Sequence, residues 1–293
     1  MGPARFRAAL AAAVIAAAPL LGAPSSAHAF DLQGHRGARG LAPENTLPAF
    51  AAALTLGVTT LELDTGVTSD GVVVVSHEPW PHPDTARGPD GAWLTAHGPA
   101  ILSMTYAELS RYDVGRLNPA SGYGKRYPEQ KPVDGTRIPK LADLFALVKR
   151  SGNTTVRFNI ETKIDPHAPQ ATLPPEAFAR ALVAAIREGG MAGRASIQSF
   201  DWRTLQVVQA EAPEIPTVYL TAQQKWLDNV AQGSVWTAGV QFDRQGSVPK
   251  MVKAAGGHTW SPFFADVDAA KVAEAKALGL AVVVWTVNEP ADI

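Results

Sequence analysis

Cysteine is absent from the 293 residues. That excludes disulfides, thiolate metal ligands and a cysteine nucleophile together. Basic excess is missing too: 26 Lys and Arg stand against 27 Asp and Glu, a formal charge of −1. Nucleic acid and anionic membrane surfaces are therefore not expected partners. No apolar run after the first 29 residues is long enough to span a bilayer, so stable membrane insertion is not expected. Neither a GxGxxG fingerprint nor a P-loop occurs, which argues against a nucleotide site built on those motifs.

The first 29 residues read as a targeting segment. Arg5 and Arg7 precede the apolar run Ala8 to Leu21, and Ala27-His28-Ala29 has small-x-small cleavage chemistry. Cleavage is expected after Ala29, with export to the outside or the cell envelope. Without Arg5 and Arg7 the count is 24 basic to 27 acidic side chains, a charge of −3.

From Phe30 onward, short β-like runs alternate with helix-like runs. Strands are predicted at Phe30–Gln33, Thr59–Asp64, Gly71–Ser76, Thr155–Ile160, Ala195–Ser199, Pro216–Leu220 and Ala281–Val287. Helices are predicted over Leu47–Leu56, around Leu141–Val148 and Phe178–Ile186, from an N-cap at Asp201 through Ala210, and over Val267–Leu278. Such βα repetition points to a parallel sheet, either doubly wound or closed as a barrel. Polar residues at strand ends are spread along the whole chain, which favours a TIM-type (β/α)8 barrel. Seven strands fall short of eight. The sequence stops at Asn288-Glu289-Pro290-Ala291-Asp292-Ile293, as another helix begins. It is expected to be a fragment lacking its last helix and strand. Residues 79–139 are rich in Pro and Gly. Their aromatics (Trp80, Trp93, Tyr106, Tyr112, Tyr123, Tyr127) predict an ordered insertion that covers a site.

The chemistry begins at Gly34-His35-Arg36-Gly37, followed by Pro43-Glu44-Asn45-Thr46. A strand, a polar loop and a helix start make an anion site, and Arg36 adds a planar fork suited to phosphate. Alone, the pair would read as a basic surface turn. Glu62 and Asp64 lie two apart on a strand and so share a face. Glu161 ends another strand beside Lys163. Three acids at strand ends fit a hard, oxygen-liganded cation, Ca²⁺ or Mg²⁺, which would also offset the cost of burying them. Zinc would recruit His or Cys. His35 and His77 each close a predicted strand, and two imidazoles suit acid–base work near neutral pH. Gln198, from Gln198-Ser199-Phe200, is a candidate donor to a ligand hydroxyl. Trp285, from Trp285-Thr286-Val287-Asn288, is a candidate apolar wall, and Phe200 reads as core. His82, His97, His167 and His258 read as surface or loop residues.

In this order, His35-Arg36-Gly37, Pro43-Glu44-Asn45-Thr46, Glu62-Leu63-Asp64, Ser76-His77-Glu78, Glu161-Thr162-Lys163, Gln198-Ser199-Phe200 and Trp285-Thr286-Val287-Asn288 resemble the motifs of glycerophosphodiester phosphodiesterases. The resemblance runs over roughly residues 31–293. It implies a TIM-type barrel, one divalent cation, usually Ca²⁺ or Mg²⁺, and hydrolysis of small glycerophosphodiesters to sn-glycerol 3-phosphate and an alcohol. By position, Glu62, Asp64 and Glu161 are implied as metal ligands and His35 and His77 as the acid–base pair. Arg36 and Lys163 are implied as phosphate contacts, and Glu44 as an acid near the metal or the substrate. The insertion occupies the position of the family's active-site cover. His77-Glu78 departs from the usual His-Asp by lengthening the acid. Alternatives are a related lipid phosphodiesterase of the phospholipase C or D type, or a non-catalytic exported phosphodiester-binding protein.

Overall fold

Seven parallel strands curl into a TIM-type barrel that stays open along one seam. A computed structural model describes residues 30–289 together with Gly2 and Ala291; the predicted targeting segment lies outside the described residues. In chain order the first elements are β1 (Gln33–Gly34), α1 (Leu47–Leu56), β2 (Thr60–Val67), β3 (Val73–Val75), α2 (Tyr106–Leu109), α3 (Leu141–Arg150) and β4 (Arg157–Thr162). They are followed by α4 (Pro175–Glu188), β5 (Ala195–Ser199), α5 (Trp202–Glu211) and β6 (Thr217–Thr221). A hairpin of β7 (Gln223–Gln224) and β8 (Leu227–Asp228) comes next, then α6 (Phe242–Gln245), α7 (Val248–Ala254), β9 (Thr259–Pro262), α8 (Ala269–Ala277) and β10 (Ala281–Val282). The parallel order is β1-β2-β4-β5-β6-β9-β10, with β3 antiparallel on β2. Among the described residues β1 pairs only with β2, and β10 only with β9. The curl nevertheless brings the two edges together: Thr286, just past β10, bonds His35, just past β1, at 3.1 Å.

The count of seven barrel strands agrees with the sequence, but the membership differs. Gly71–Ser76 supplies β3, a hairpin partner outside the barrel, whereas β9 has no counterpart among the predicted strands. Two glycines precede β9 and proline ends it, which masks its pattern. The predicted run Ala281–Val287 is paired only over its first two residues, with a separate bridge from Phe263 to Trp285.

Burial explains the layers. All eight residues of β2 are buried, as expected for a strand covered on both faces. Leu61 and Leu63 join the core beneath the helices, while Glu62 and Asp64 alternate to the inner face. On α3, Leu141, Leu144, Phe145 and Val148 form the buried stripe that their helical spacing predicts. Helix α1 starts where Thr46 accepts a hydrogen bond from the Ala49 N–H, with Pro48 in its first turn, and ends at Gly57 in the left-handed region.

The segment between β3 and α3 is ordered around a small core of its own, in which Ile101, Met104, Leu109, Tyr112 and Ile138 pack on Val74. Arg87 pairs with Asp113 and Asp134, and Arg116 with Asp134, cross-linking the segment.

Candidate active site

Strand pairing assembles the acids. Asp64 on β2 lies directly opposite Glu161 on β4, and Glu62 lies opposite Asn159. Carboxylate oxygens of Glu62, Asp64 and Glu161 come within 4.8 Å of one another, and all three residues are buried. Burial, with the Asp64 charge beside it, pushes Glu62 up to about 8. Burial likewise raises Glu161 to about 7, with Lys163 opposing the rise and Asp64 adding to it. Three oxygen donors that repel one another in the absence of a cation fit a hard divalent ion.

The loop after β1 supplies the cationic side. Arg36 and Asn45 both adopt left-handed backbone, with φ of 52° and 55°. For residues other than glycine this is strained, and such strain collects at functional sites. Gly37 has φ 83°, and a Cβ there would meet the Ala49 carbonyl carbon at 2.7 Å, so only glycine fits. This turn directs the Arg36 N–H to Glu62 Oε2 at 2.8 Å. The Arg36 side chain lies against Asp64, Nε to Oδ2 3.3 Å, and donates through Nη1 to Glu44 Oε1 at 2.6 Å. Glu44 stands outside the three-acid group. Asn45 donates to Asp64 Oδ2 at 2.8 Å.

Both histidines face this centre. His35 Nε2 is 3.9 Å from Glu62 Oε2. Its Nδ1 contacts Arg39 Nη2 and Thr286 Oγ1, each at 3.1 Å. A guanidinium can only donate, so Nδ1 is the acceptor and Nε2 carries the hydrogen in the neutral ring. His77 is oriented the other way. Nδ1 is 2.8 Å from Glu78 Oε1, and Nε2 is 3.1 Å from Lys163 Nζ. With a carboxylate on one side and an ammonium on the other, Nδ1 bears the hydrogen and Nε2 the lone pair. Lys163 also bonds Glu161 Oε1 at 3.0 Å. Burial holds both imidazoles well below their ordinary value; Arg36, Arg39 and Lys163 add to the effect at His35, and Lys163 foremost at His77.

Gln198 donates to Glu62 Oε1 at 2.7 Å and accepts from Asn159 at 2.8 Å. One sequence expectation changes. Phe200 leaves the core for the site wall, with its ring 5.3 Å from that of Trp285 and 5.9 Å from Lys163 Nζ. The Trp285 ring also lies 5.3 Å from that of Phe263 and 6.1 Å from that of Trp226.

Sequence reasoning missed Arg39 in the site, and it gave no individual role to Asn45 and Thr286, quoted only within motifs, or to Tyr123, named only among the aromatics of the insertion. The Tyr123 hydroxyl donates to Glu44 Oε2 and accepts from Arg39 Nη1 at 3.2 Å. Tyr127 stacks under Arg39 at 4.9 Å. The insertion thus holds Arg39, which in turn holds His35. His82 and His97 are not isolated: His97 stacks on Trp80 at 4.8 Å and lies 4.8 Å from His82.

Residues 35–293 match the model of the glycerophosphoryl diester phosphodiesterase family. The chain belongs to that family. Its relatives within the glycerophosphoryl diester phosphodiesterases include the glycerophosphodiester phosphodiesterase of Bacillus subtilis, 28% identical over 195 residues, 64% of this chain and 57% of that protein. The enzyme of the same name from Caldanaerobacter subterraneus is 30% identical over 182 residues, 62% of each chain. This chain therefore spans about three fifths of the length of these curated relatives. A solved structure described as a putative glycerophosphoryl diester phosphodiesterase from Silicibacter pomeroyi is similar at TM-score 0.78 and 39% identity, over 89% of this chain and 83% of that one. An Oleispira antarctica phosphodiesterase, solved with the product sn-glycerol-3-phosphate, shares the fold at TM-score 0.62 and 23% identity, over 90% of this chain and 87% of that one.

Proposed function

We propose that this protein hydrolyses glycerophosphodiesters to sn-glycerol 3-phosphate and an alcohol, using one divalent cation held by Glu62, Asp64 and Glu161. The observation that carries the reading is the meeting of three buried acids with two imidazoles, Arg36 and Lys163 at one end of the barrel. A cation so held, Ca²⁺ or Mg²⁺, supplies charge stabilisation for phosphoryl oxygens. Family membership supports the substrate class.

In this reading Arg36 and Lys163 bind the non-bridging oxygens. Lys163, once turned onto phosphate, leaves the His77 Nε2 lone pair free to accept a proton from the nucleophile. Glu78 holds the Nδ1–H and stabilises the cation that forms, as a longer acid can. His35, once its ring is cationic, gives its Nε2 proton to the oxygen of the departing alcohol, with Thr286 beside Nδ1 fixing the ring. Trp285 and Phe200 wall the substrate, and Gln198 acts by holding Glu62.

The deciding assay is release of sn-glycerol 3-phosphate from several deacylated phospholipids by purified protein, with chelator and with Ca²⁺ or Mg²⁺ restored. No product under any condition would end the proposal. Faster cleavage of intact phosphatidylcholine would favour the phospholipase alternative, and tight binding without turnover the binding-protein one.

Tyr123→Phe removes the insertion's hydroxyl from Glu44 and Arg39. It is expected to destabilise the fold by about 1.5–3 kcal/mol, the range for hydrogen bonds to charged groups, measured by denaturant unfolding, with a fall in turnover. Unchanged stability and turnover would show that the insertion does not act through this contact.

Export completes the proposal. Residues 1–29 carry the chemistry of a cleaved signal, and the mass of protein recovered outside the cell is expected to correspond to a start at Phe30. Recovery of the full-length chain within the cell would contradict it.

A further inference from the structure

Beside the three acids, a row of amides crosses the barrel interior from strand to strand. The register builds it. Asn159 on β4 lies opposite Glu62 on β2 and opposite Ser196 on β5, and Gln198 lies opposite Glu161. Asn159 and Glu161 are two apart and so share the inner face of β4. Asn159 and Gln198 are both buried. Gln198 Nε2 donates to Glu62 Oε1 at 2.7 Å. Asn159 Nδ2 donates to Gln198 Oε1 at 2.8 Å and to Gln33 Oε1 at 3.1 Å. Gln33 Nε2 donates to Asp31 Oδ2 at 2.9 Å, and Asn159 Oδ1 accepts from Ser196 Oγ at 2.9 Å.

A carboxylate can only accept, so the acids at the two ends fix the direction of every link. Glu62 requires the N–H side of Gln198, and Asp31 requires the N–H side of Gln33. Both glutamines then turn a carbonyl towards the residue between them. Only a group with two hydrogens serves both carbonyls, and the Asn159 amide is that group. Glu62 is thereby held at each oxygen, Oε1 by Gln198 and Oε2 by the Arg36 N–H at 2.8 Å. A lone pair on each oxygen is left for a cation. Without the Asn159 hydrogens, the Gln198 carbonyl would be a buried acceptor with no donor, which is costly. Rotating the amide to relieve that would aim the carbonyl at Glu62.

We propose that Asn159 is a positioning residue for the cation: it sets the direction of the Gln198 amide and so the place of the Glu62 carboxylate. The inference rests on the cation of the reading above and adds to it the residue on which the affinity of that site depends. Groups that hold a metal ligand by hydrogen bonds typically govern metal affinity by roughly 10–100-fold.

The test titrates Ca²⁺ and Mg²⁺ into metal-free protein by calorimetry, for the parent, Asn159→Ala, Gln198→Ala and the double variant. Asn159→Ala is expected to weaken cation binding roughly 10–100-fold, with kcat recovering at excess metal. Because the two residues act through one contact, the double variant is expected to bind no more weakly than Gln198→Ala alone. Asn159→Leu keeps the bulk and lacks the N–H. It is expected to behave as Asn159→Ala does, and it covers the case in which truncation prevents folding. A dissociation constant unchanged by either substitution, with lowered stability to denaturant, would show a structural role only. Additive losses in the double variant would show that Asn159 does not act through Gln198. Either result overturns the inference and leaves the phosphodiesterase reading intact. The expected binding pattern with no turnover of any glycerophosphodiester by the parent supports the positioning role and sinks the catalytic reading.

Discussion

Stripped of divalent cations by a chelator, the protein is expected to lose essentially all turnover, and its melting temperature to fall as pH rises from about 5 to about 8. The second effect follows from the acids. Glu62 is raised to about 8 and Glu161 to about 7 by burial and mutual repulsion, against an ordinary 4.5. A group whose folded value lies above its unfolded one favours the folded state while it is protonated. That contribution is complete below about pH 4.5 and is lost as pH passes through 7 to 8. A cation replaces those protons. Added Ca²⁺ or Mg²⁺ is therefore expected to raise the melting temperature strongly at pH 8 and weakly at pH 5, alongside recovery of activity. Thermal unfolding at both pH values, with and without metal, checks this. A metal effect equal at the two pH values would show that the ion binds elsewhere.

His77→Ala and His35→Ala are each expected to cost roughly 10²–10⁴-fold in kcat, the usual contribution of a positioned acid or base, with circular dichroism and melting behaviour retained. The pH profile separates the two histidines from structural ones. A base acts only when deprotonated, and the His77 ring is held well below 6.5 by burial and by neighbouring cations, Lys163 first. The acid limb of kcat/KM should therefore lie below pH 6.5. It should be altered in His77→Ala. Full activity in either variant would remove that residue from the mechanism, and an acid limb above pH 7 would contradict the electrostatics of the site.

Local signals make much of this architecture readable. Helix α1 and strand β5 have the bounds that their sequence predicts, because a cap, a proline and a glycine mark the first and an apolar alternation marks the second. Strand alternation alone places Glu62 and Asp64 on one face. What is not legible depends on distance in the chain. Tyr123 sits in Ser121-Gly122-Tyr123-Gly124, with no periodicity around it, and meets Glu44 across 79 positions. Thr286 meets His35 across 251. Gln198 reads as polar and inward, but its orientation depends on Asn159 and Glu62 across two strand pairings, which no single stretch reveals.

The pairing of β2 with β4 has a consequence for how the chain finds its shape. Asp64 and Glu161 face each other across a single rung, so slipping either strand by one residue would swing its acid out among the helices and bring a leucine or isoleucine inward. Only the true alignment lets all three carboxylates grasp one ion. A cation present during folding would therefore select against slipped alignments as well as neutralising the acids of the finished fold.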